Sequence, residues 1–186
     1  MKKIEIEVPT GKNAKWVNGV LTLVDDVPKD ITERIKTLED ACNELGDTHA
    51  YVRLYSEHIT NLHDGGEDDA DVVAYLKLRI ICAALNEGWQ PQFPGDEYRY
   101  YPLLCLYTRE EYDELDEDAN CRVVCRGGDN VYACSGRACA VANNVSSVSY
   151  ASFGSRLAFK THELAEYAGR QFVEIFADFC FMPKDK

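Results

Sequence analysis

Apolar residues alternate with polar ones near the start of the chain and then recur at helical spacing, so the pattern divides the chain into a β region followed by helices. Residues 3–24 predict a β-hairpin or two short strands, because Ile4, Ile6 and Val8 alternate and a second apolar run follows. The Asn18-Gly19 dipeptide in that second run suits a tight turn with positive φ. The first part of the chain is therefore expected to be β-structure.

Three helices are expected between residues 37 and 88. The apolar spacing predicts helices over residues 38–45, 50–62 and 69–87, the last of them the strongest. Their ends are marked by an N-cap with its capping-box acid and by two glycine stops: Thr37, Asp40, Gly46 and Gly88. These helices are expected to supply much of the core.

From Tyr98 the period changes to that of strands followed by helices. Residues 98–107 predict a strand in which Pro102 indicates a sheet edge or a bulge, and residues 156–160 predict another strand. A threonine cap and a helix follow each strand: Thr108 with Glu111 before residues 109–115, and Thr161 before residues 162–181. The chain is thus expected to end in one long helix.

The segment between these two units, residues 121–152, is rich in small polar residues and carries little charge. Its alternation predicts several short strands joined by tight turns. Such a surface is typical of adaptable recognition sites, with an ordinary antiparallel sheet rim as the alternative.

The elements together predict an α+β fold in a single domain over residues 1–186. An N-terminal hairpin occupies residues 1–26 and an acidic helical body residues 30–88. Residues 98–186 are expected to form a small antiparallel sheet, with the polar insert, followed by the long C-terminal helix.

Acidic residues are concentrated in the middle of the chain. The formal net charge is -12, and residues 25–120 alone hold 24 Asp or Glu against 8 Lys or Arg. Such a surface repels phosphates, so no direct nucleic acid binding is expected. It could mimic DNA towards a basic partner or simply maintain solubility. No apolar run approaches the roughly 20 residues that a membrane-spanning helix needs, so no membrane association is expected.

Catalytic and metal-binding motifs are not found in the sequence. Its 8 cysteines are too sparse for a disulfide scaffold and are interpreted as thiols. The alternative is a metal site in the short segment that holds Cys121, Cys125, Cys134 and Cys139, although strand alternation would separate several of them. None of the 4 histidines falls in a metal pattern. No cofactor and no enzymatic activity are expected.

The chain resembles a family of short uncharacterised proteins encoded by phages, prophages and mobile elements of gut anaerobes. The resemblance covers nearly the whole chain and is carried by residues 16–24, 33–42, 84–89, 98–102 and 154–161. It implies a genomic setting and little chemistry. The expected location is the cytoplasm of the producing bacterial cell or, in an alternative, the virion.

A second, local resemblance is to the end of C-type-lectin-like domains related to formylglycine-generating enzymes and to the variable proteins of diversity-generating retroelements. It is carried by residues 126–128, 137–138 and 154–158, and in those domains a glycine pair opens a polar display region. This chain departs from the pattern at Asp129-Asn130 and at Ser155, and it continues through a further helix. Cysteines suited to the enzyme's copper site do not align, so the resemblance implies a displayed β-surface without that activity.

The leading hypothesis is a non-enzymatic binding protein that contacts a protein partner through residues 127–152. The candidate binding residues are Asp129, Asn130, Tyr132, Arg137, Asn143, Asn144, Ser147 and Tyr150. Their expected structural support comes from Arg126, Gly127, Gly128, Gly154 and Arg156. The alternatives are a small virion component that self-associates through sheet edges and exposed tyrosines at 98, 100 and 101, and an acidic inhibitor of a host nucleic-acid enzyme.

Arg156 is singled out because it is a charged residue inside an apolar strand. Alternation is expected to place it opposite Leu157 and Phe159, on the side of the polar insert. Its fixed fork of donors could then hold loop carbonyls or a carboxylate. The alternative is a solvated strand residue.

Overall fold

The computed structural model describes residues 6–26, 28–62, 69–92, 97–114, 123–125, 132–142 and 155–181. Residues 25, 109, 125 and 132–142 are described by their backbone alone. The chain separates into two compact units, residues 1–34 and 35–186. The prediction of one domain over residues 1–186 stays a prediction.

The first unit contains the predicted β-hairpin. Strands β1 (Lys12–Val17) and β2 (Val20–Asp25) pair antiparallel, and the turn between them has φ values of 49° at Asn18 and 78° at Gly19. Positive φ at both central residues is the turn that Asn-Gly favours, so the hairpin prediction is confirmed. Ile6 and Val8 lie outside any strand, so the strand expected there is wrong for those residues.

Helix α1 (Ile31–Arg34) is a single turn that ends the first unit. The carboxylate of Asp30 accepts hydrogen bonds from the backbone N–H and the hydroxyl of Thr32, at 2.9 and 2.8 Å. These bonds lower the pKa of Asp30, because they favour the charged carboxylate.

Three of the predicted helices are confirmed in the second unit: α2 (Leu38–Leu45), α3 (Ala50–Asn61) and α4 (Ala70–Leu85). The Thr37 and Asp40 side chains form the expected capping box at α2, and Gly46 ends that helix with φ 80°. Helix α4 buries residues on nearly every side and packs against α2 and α3, so it is the central helix of this unit.

The long C-terminal helix is two helices. Helices α6 (His162–Gln171) and α7 (Val173–Cys180) are separated at the buried Phe172, whose φ of -118° and ψ of 29° leave the helical region. The break allows α6 to pack on strands β3 and β5 while α7 packs on α4 and β4. A single straight helix could not follow both surfaces, so the prediction of one helix is wrong at this point.

The second sheet has three antiparallel strands in the order β3-β5-β4, formed by β3 (Tyr98–Tyr107), β4 (Val123–Cys125) and β5 (Tyr132–Ala142). Short helix α5 (Arg109–Asp113) follows β3 with the expected capping box of Thr108 and Glu111. Within the polar segment at residues 121–152, the described residues form the short strand β4 and the longer, 11-residue strand β5. The other strands predicted there fall on residues outside the described ranges.

Pro102 occupies the kind of position that the sequence indicates. Strand β3 lies at the edge of the sheet, and its register with β5 shifts between Leu103 and Leu104, which leaves Gly136 without a partner. Tyr100 uses its N–H and C=O towards Phe159 on the outer side. Pro102, two residues on, therefore has its nitrogen on that outer side, where no bond to β5 is lost.

Residues 156–160 do not form the predicted strand. Ser155–Leu157 is a short 3₁₀ helix, and only Phe159 makes a β-bridge, to Tyr100. The prediction that strand alternation places Arg156 opposite Leu157 and Phe159 is therefore wrong, although Leu157 and Phe159 are both buried as expected. Arg156 itself is exposed.

The structure also corrects the exposure expected of the β3 tyrosines. Tyr98 is exposed, but Tyr101 is 2% exposed and belongs to the core. Among the described residues, no helix has the length and apolar character to cross a membrane. The described architecture is α+β, as predicted.

Candidate functional site

Most of the predicted site residues lie outside the described residues. This applies to ten of them: Arg126, Gly127, Gly128, Asp129, Asn130, Asn143, Asn144, Ser147, Tyr150 and Gly154. Tyr132 and Arg137 lie on β5, described by backbone alone, and pair with Tyr107 and Leu103 of β3. Arg156 is the predicted site residue whose side chain the structure describes.

The sheet topology divides the predicted 127–152 surface into two parts. Cys125 pairs with Tyr132, so residues 126–131 join the paired ends of β4 and β5. Residues 143–154 follow the other end of β5, which is 11 residues long. At about 3.3 Å per residue the two ends are roughly 33 Å apart, so the two segments are attached to opposite ends of the sheet.

A cavity of about 860 Å³ lies in the second unit, beside the end of the sheet where β3 begins. Ala158 lines the cavity, and the next residue, Phe159, makes a β-bridge to Tyr100 near the start of β3. This bridge places the cavity near that end of the sheet. Cavities of about 300–1,000 Å³ are typical of small-molecule sites. The lining residues are Leu45, His49, Ala50, Tyr51, Tyr75, Arg79, Cys82, Ala83, Asn86, Gly88, Trp89, Gln90, Pro91, Ser155, Arg156 and Ala158.

Arg79, on α4, is the central cation of the cavity. Its guanidinium carbon lies 3.9 Å from the centre of the Tyr51 ring and 5.8 Å from that of Tyr75. This is a cation–π contact, and a guanidinium has five N–H donors with which it can bind a further group. Its buried Nε has no hydrogen-bond partner, and in the described part of the chain no carboxylate pairs with it.

His49 caps the start of α3 and contributes a further donor to the lining. Its Nδ1 accepts the backbone N–H of Tyr51 at 3.3 Å, and the two rings meet edge to face at 5.0 Å between centres. Since the lone pair of Nδ1 is used, the proton of a neutral imidazole resides on Nε2. His49 is therefore organised as a donor, and Nδ1 is not available as a base.

The floor of the cavity is fixed by a hydrogen-bonded clamp around Asn86, which is 4% exposed. Its Nδ2 donates to the carbonyl of Ala158 at 2.8 Å, and its Oδ1 accepts the N–H of Lys160 at 3.0 Å. The thiol of Cys82 donates to the same Ala158 carbonyl at 3.1 Å. The end of α4 thereby fixes the neighbouring segment, which contributes Arg156 to the cavity lining.

Cys82 is a structural group. Burial raises the pKa of its thiol to about 12, while the hydrogen bond from Asn86 opposes this rise. The thiolate, which is the nucleophilic form, is therefore almost absent near neutral pH. The cavity's cysteine does not supply a nucleophile.

The charge of the lining is opposite in sign to that of the protein. Arg79 and Arg156 line the cavity, and none of the described lining residues is an Asp or a Glu. The chain as a whole has a net charge of -12. Two cations on a lining whose described residues include no carboxylate make the cavity a candidate site for an anion.

The sequence indicated only part of this site. Asn86, Trp89 and Arg156 belong to segments that carry the family resemblance, whereas Arg79, Tyr51 and His49 belong to no motif. Arg79 could have been found as a basic residue within the apolar run Leu78-Arg79-Ile80-Ile81, where a charge requires a specific environment.

The metal alternative concerns residues that the structure describes incompletely. Cys121 lies outside the described residues, and Cys125, Cys134 and Cys139 are described by backbone alone. Elsewhere, the described ranges contain no group of three or more His, Cys, Asp or Glu residues arranged to hold a metal ion. A site formed by these four cysteines stays a prediction.

Comparison of the chain with protein-family models, curated proteins and solved structures finds no match. The chemistry of the cavity is therefore the best indication of what the chain does. The phage-family and lectin-like resemblances stay predictions.

Proposed function

We propose that this chain is a non-enzymatic binding protein whose recognition site is the cavity between α3, α4 and the 3₁₀ helix, and that its ligand is a small anion. The observation that carries the proposal is the state of Arg79. Its guanidinium is stacked on Tyr51 and has no carboxylate partner among the described residues. A guanidinium in this arrangement suits a carboxylate or phosphate that accepts two parallel hydrogen bonds.

Binding is favoured over catalysis by the groups around Arg79. The Cys82 thiol has its pKa raised to about 12, and the Nδ1 of His49 is occupied by the backbone of α3. General acid–base work requires a group whose pKa lies near the working pH and which is free to exchange a proton. The Cys82 thiol does not meet the first condition, and the Nδ1 of His49 is not free because it accepts the N–H of Tyr51, whereas both arginines suit ligand binding.

The acidic surface is consistent with a ligand of small size. Residues 25–120 have a net charge of -16, which repels an extended polyanion at long range. A small anion inside the cavity instead contacts the arginines directly, where local interactions dominate. The predicted protein-binding surface at residues 127–152 stays a separate prediction.

The test is to measure the thermal stability of the full chain in sodium phosphate against sodium chloride of equal ionic strength. We expect phosphate to raise the midpoint of unfolding in the wild type by more than in Arg79→Gln, because a ligand that binds the native state stabilises it. Arg53→Gln is the matched control, since Arg53 is exposed on α3, pairs with Glu57 and does not line the cavity. An equal phosphate effect in all three proteins would reflect general salt exclusion and would contradict the proposal.

A further inference from the structure

The aromatic side of the cavity carries a second recognition element besides the arginines. Trp89 is half-buried and lines the cavity together with Tyr51 and Tyr75. One face of Tyr51 is covered by Arg79, and Tyr75 stacks on Phe179 with ring centres 5.7 Å apart and planes 28° apart. In the described part of the chain, Trp89 has no ring partner.

The backbone before Trp89 holds this indole at the cavity. Helix α4 ends at Asn86, and the next two residues, Glu87 and Gly88, have φ values of 49° and 85°. The N–H of Trp89 then donates to the carbonyl of Asn86 at 3.0 Å. Glu87 accepts a positive φ although it is not glycine, and its carboxylate is anchored by Lys160 at 2.9 Å. The turn thus fixes Trp89 relative to the same Asn86 clamp that positions Arg156.

The lining contains cationic, aromatic and neutral hydrogen-bonding side chains, and one class of ligand has a group that suits each of the three. Cationic forks recognise a phosphate, an unstacked indole accepts a planar ring, and the Gln90 amide and the Ser155 hydroxyl offer donors and acceptors for ring edges and sugar hydroxyls. A volume of about 860 Å³ is larger than a single ring or a free phosphate would need.

We propose that the ligand is a nucleoside monophosphate, with its phosphate on Arg79 and Arg156 and its base against Trp89. This inference rests on the proposed function, because it names the ligand of the same anion site. A monomer carries few charges and enters the cavity, whereas a polynucleotide has to approach the acidic surface with its whole backbone. The acidic surface therefore selects the monomer.

The experiment uses the full chain with Trp16→Phe, which leaves Trp89 as the sole tryptophan. AMP, adenosine and inorganic phosphate are each titrated while Trp89 fluorescence and the heat of binding are recorded. We expect AMP to quench Trp89 and to bind at least about tenfold more tightly than either part alone, because stacking and charged hydrogen bonds then act on one ligand.

Variants on both sides of the cavity show which contacts matter. Arg156 is exposed in the native chain, so the Arg156→Gln variant is expected to fold. The Arg79→Gln variant removes the cation that lies over the Tyr51 ring. Each is expected to weaken AMP binding by about tenfold or more, as is typical when a charged hydrogen-bond donor is lost. The Trp89→Leu variant is expected to bind AMP more weakly and to bind inorganic phosphate as tightly as the parent does. Arg53→Gln, outside the cavity, is expected to bind AMP as the parent does.

The outcomes separate this inference from the proposed function. If AMP and phosphate bind with equal affinity and both depend on Arg79, the anion site stands and the nucleotide inference is wrong. If neither binds, both proposals fail. If short single-stranded DNA with a 5′-phosphate binds more tightly than AMP, the ligand is a strand end and the monophosphate inference is overturned.

Discussion

At the scale of single residues, Asn86 connects the end of α4 to the segment that carries Arg156. Both ends of its amide are used across a sequence separation of more than 70 residues, by Ala158 on one side and Lys160 on the other. An amide is the side chain that can donate and accept in this way from one planar group. Asn86 therefore contributes to the stability of the fold and to the shape of the cavity.

Replacing Asn86 by Asp tests this role with almost no change in shape. The variant presents a carboxylate oxygen to the Ala158 carbonyl, and we expect the free energy of unfolding near neutral pH to fall by about 3 kcal/mol, because a buried charged group loses its donor bond. Burial would raise the pKa of the new carboxyl, so part of the loss should be recovered as pH is lowered. Urea unfolding measures both effects, with the exposed Asn43→Asp on α2 as the control, expected to change by less than about 1 kcal/mol. Equal losses in the two variants would contradict the clamp.

The buried thiols predict how stability depends on alkaline pH. Burial raises the pKa of Cys82 to about 12 and that of Cys180 to about 11. Thiols in the unfolded chain titrate at about pH 8.5, so the unfolded chain loses these protons before the folded chain does. The free energy of unfolding therefore falls as the pH rises above that value. The buried Cys82 thiol contributes a slope of up to about 1.4 kcal/mol per pH unit, and the half-buried Cys180 thiol contributes less because solvent screens it.

The slope can be assigned to one residue by substitution. We expect Cys82→Ala to be less stable at neutral pH but to lose stability less steeply between about pH 9 and pH 10 than the wild type, since one titrating group is gone. Ile81→Ala, also on α4, is the comparison: Ile81 is buried and has no titratable group, so this variant should lose stability but keep the wild-type slope. An unchanged slope in Cys82→Ala would show that Cys82 does not cause the alkaline loss.

The residue-scale features that the sequence predicted are those with local causes. Thr37 with Asp40, Thr108 with Glu111, and the Asn18-Gly19 turn all depend on neighbours within four positions. The Arg79 stack and the Asn86 clamp join residues far apart in the chain, so no local pattern could indicate them. Arg156 is likewise recognisable from its apolar neighbours in the sequence, whereas the 3₁₀ conformation of its backbone depends on distant contacts and was not predicted.

At the scale of elements, the start of α6 is tied directly to the clamp. Lys160 donates its N–H to Asn86, and the next residue, Thr161, caps α6 by accepting the N–H of Leu164 at 3.3 Å. The helix therefore begins at a position that the cavity floor has already fixed. A loose cap would loosen both the helix start and the floor.

Thr161→Ala is expected to lower the free energy of unfolding by about 1 kcal/mol, whereas Thr161→Ser keeps the cap and should cost much less. Thr60→Ala is the opposite case, because Thr60 is inside α3 and its hydroxyl donates to the carbonyl of Ser56. Alanine is the better helix former at such an exposed site, so we expect no loss there. Urea midpoints of the three variants provide the measurement. A loss in Thr60→Ala as large as in Thr161→Ala would argue against a specific capping effect.

The boundaries of elements were predictable where apolar spacing and end signals agree, as at α2 and α4. Helix α3 was predicted from apolar spacing alone. The predictions failed where tertiary packing determines where an element ends. The sequence through Phe172 has helical spacing, but packing on two different surfaces requires a break there. Residues 156–160 failed in a similar way. Their apolar positions are buried as expected, but only Phe159 reaches the edge of β3.

At the scale of the whole molecule, core and charge are distributed unequally along the chain. With the exception of Ile31, the buried apolar side chains of the described ranges belong to residues 35–186, and the cavity lies in that unit as well. The hairpin instead exposes large apolar side chains, including Trp16 at 74% and Val20 at 63%. The stability of the second unit should therefore not depend on the hairpin.

Removing residues 1–29 tests this inference while keeping α1 and its Asp30 contacts. We expect the shortened chain to unfold cooperatively, with a free energy within about 1 kcal/mol of the full chain, because the core residues of the second unit are all retained. Ile35→Ala in the full chain is the positive control and should cost about 2–5 kcal/mol, since Ile35 is 0% exposed. If the shortened chain lost its cooperative transition, the hairpin would be required for the fold of the second unit. If it kept that transition, any change in self-association on removing the hairpin could be assigned to the exposed apolar surface, because the core would be intact.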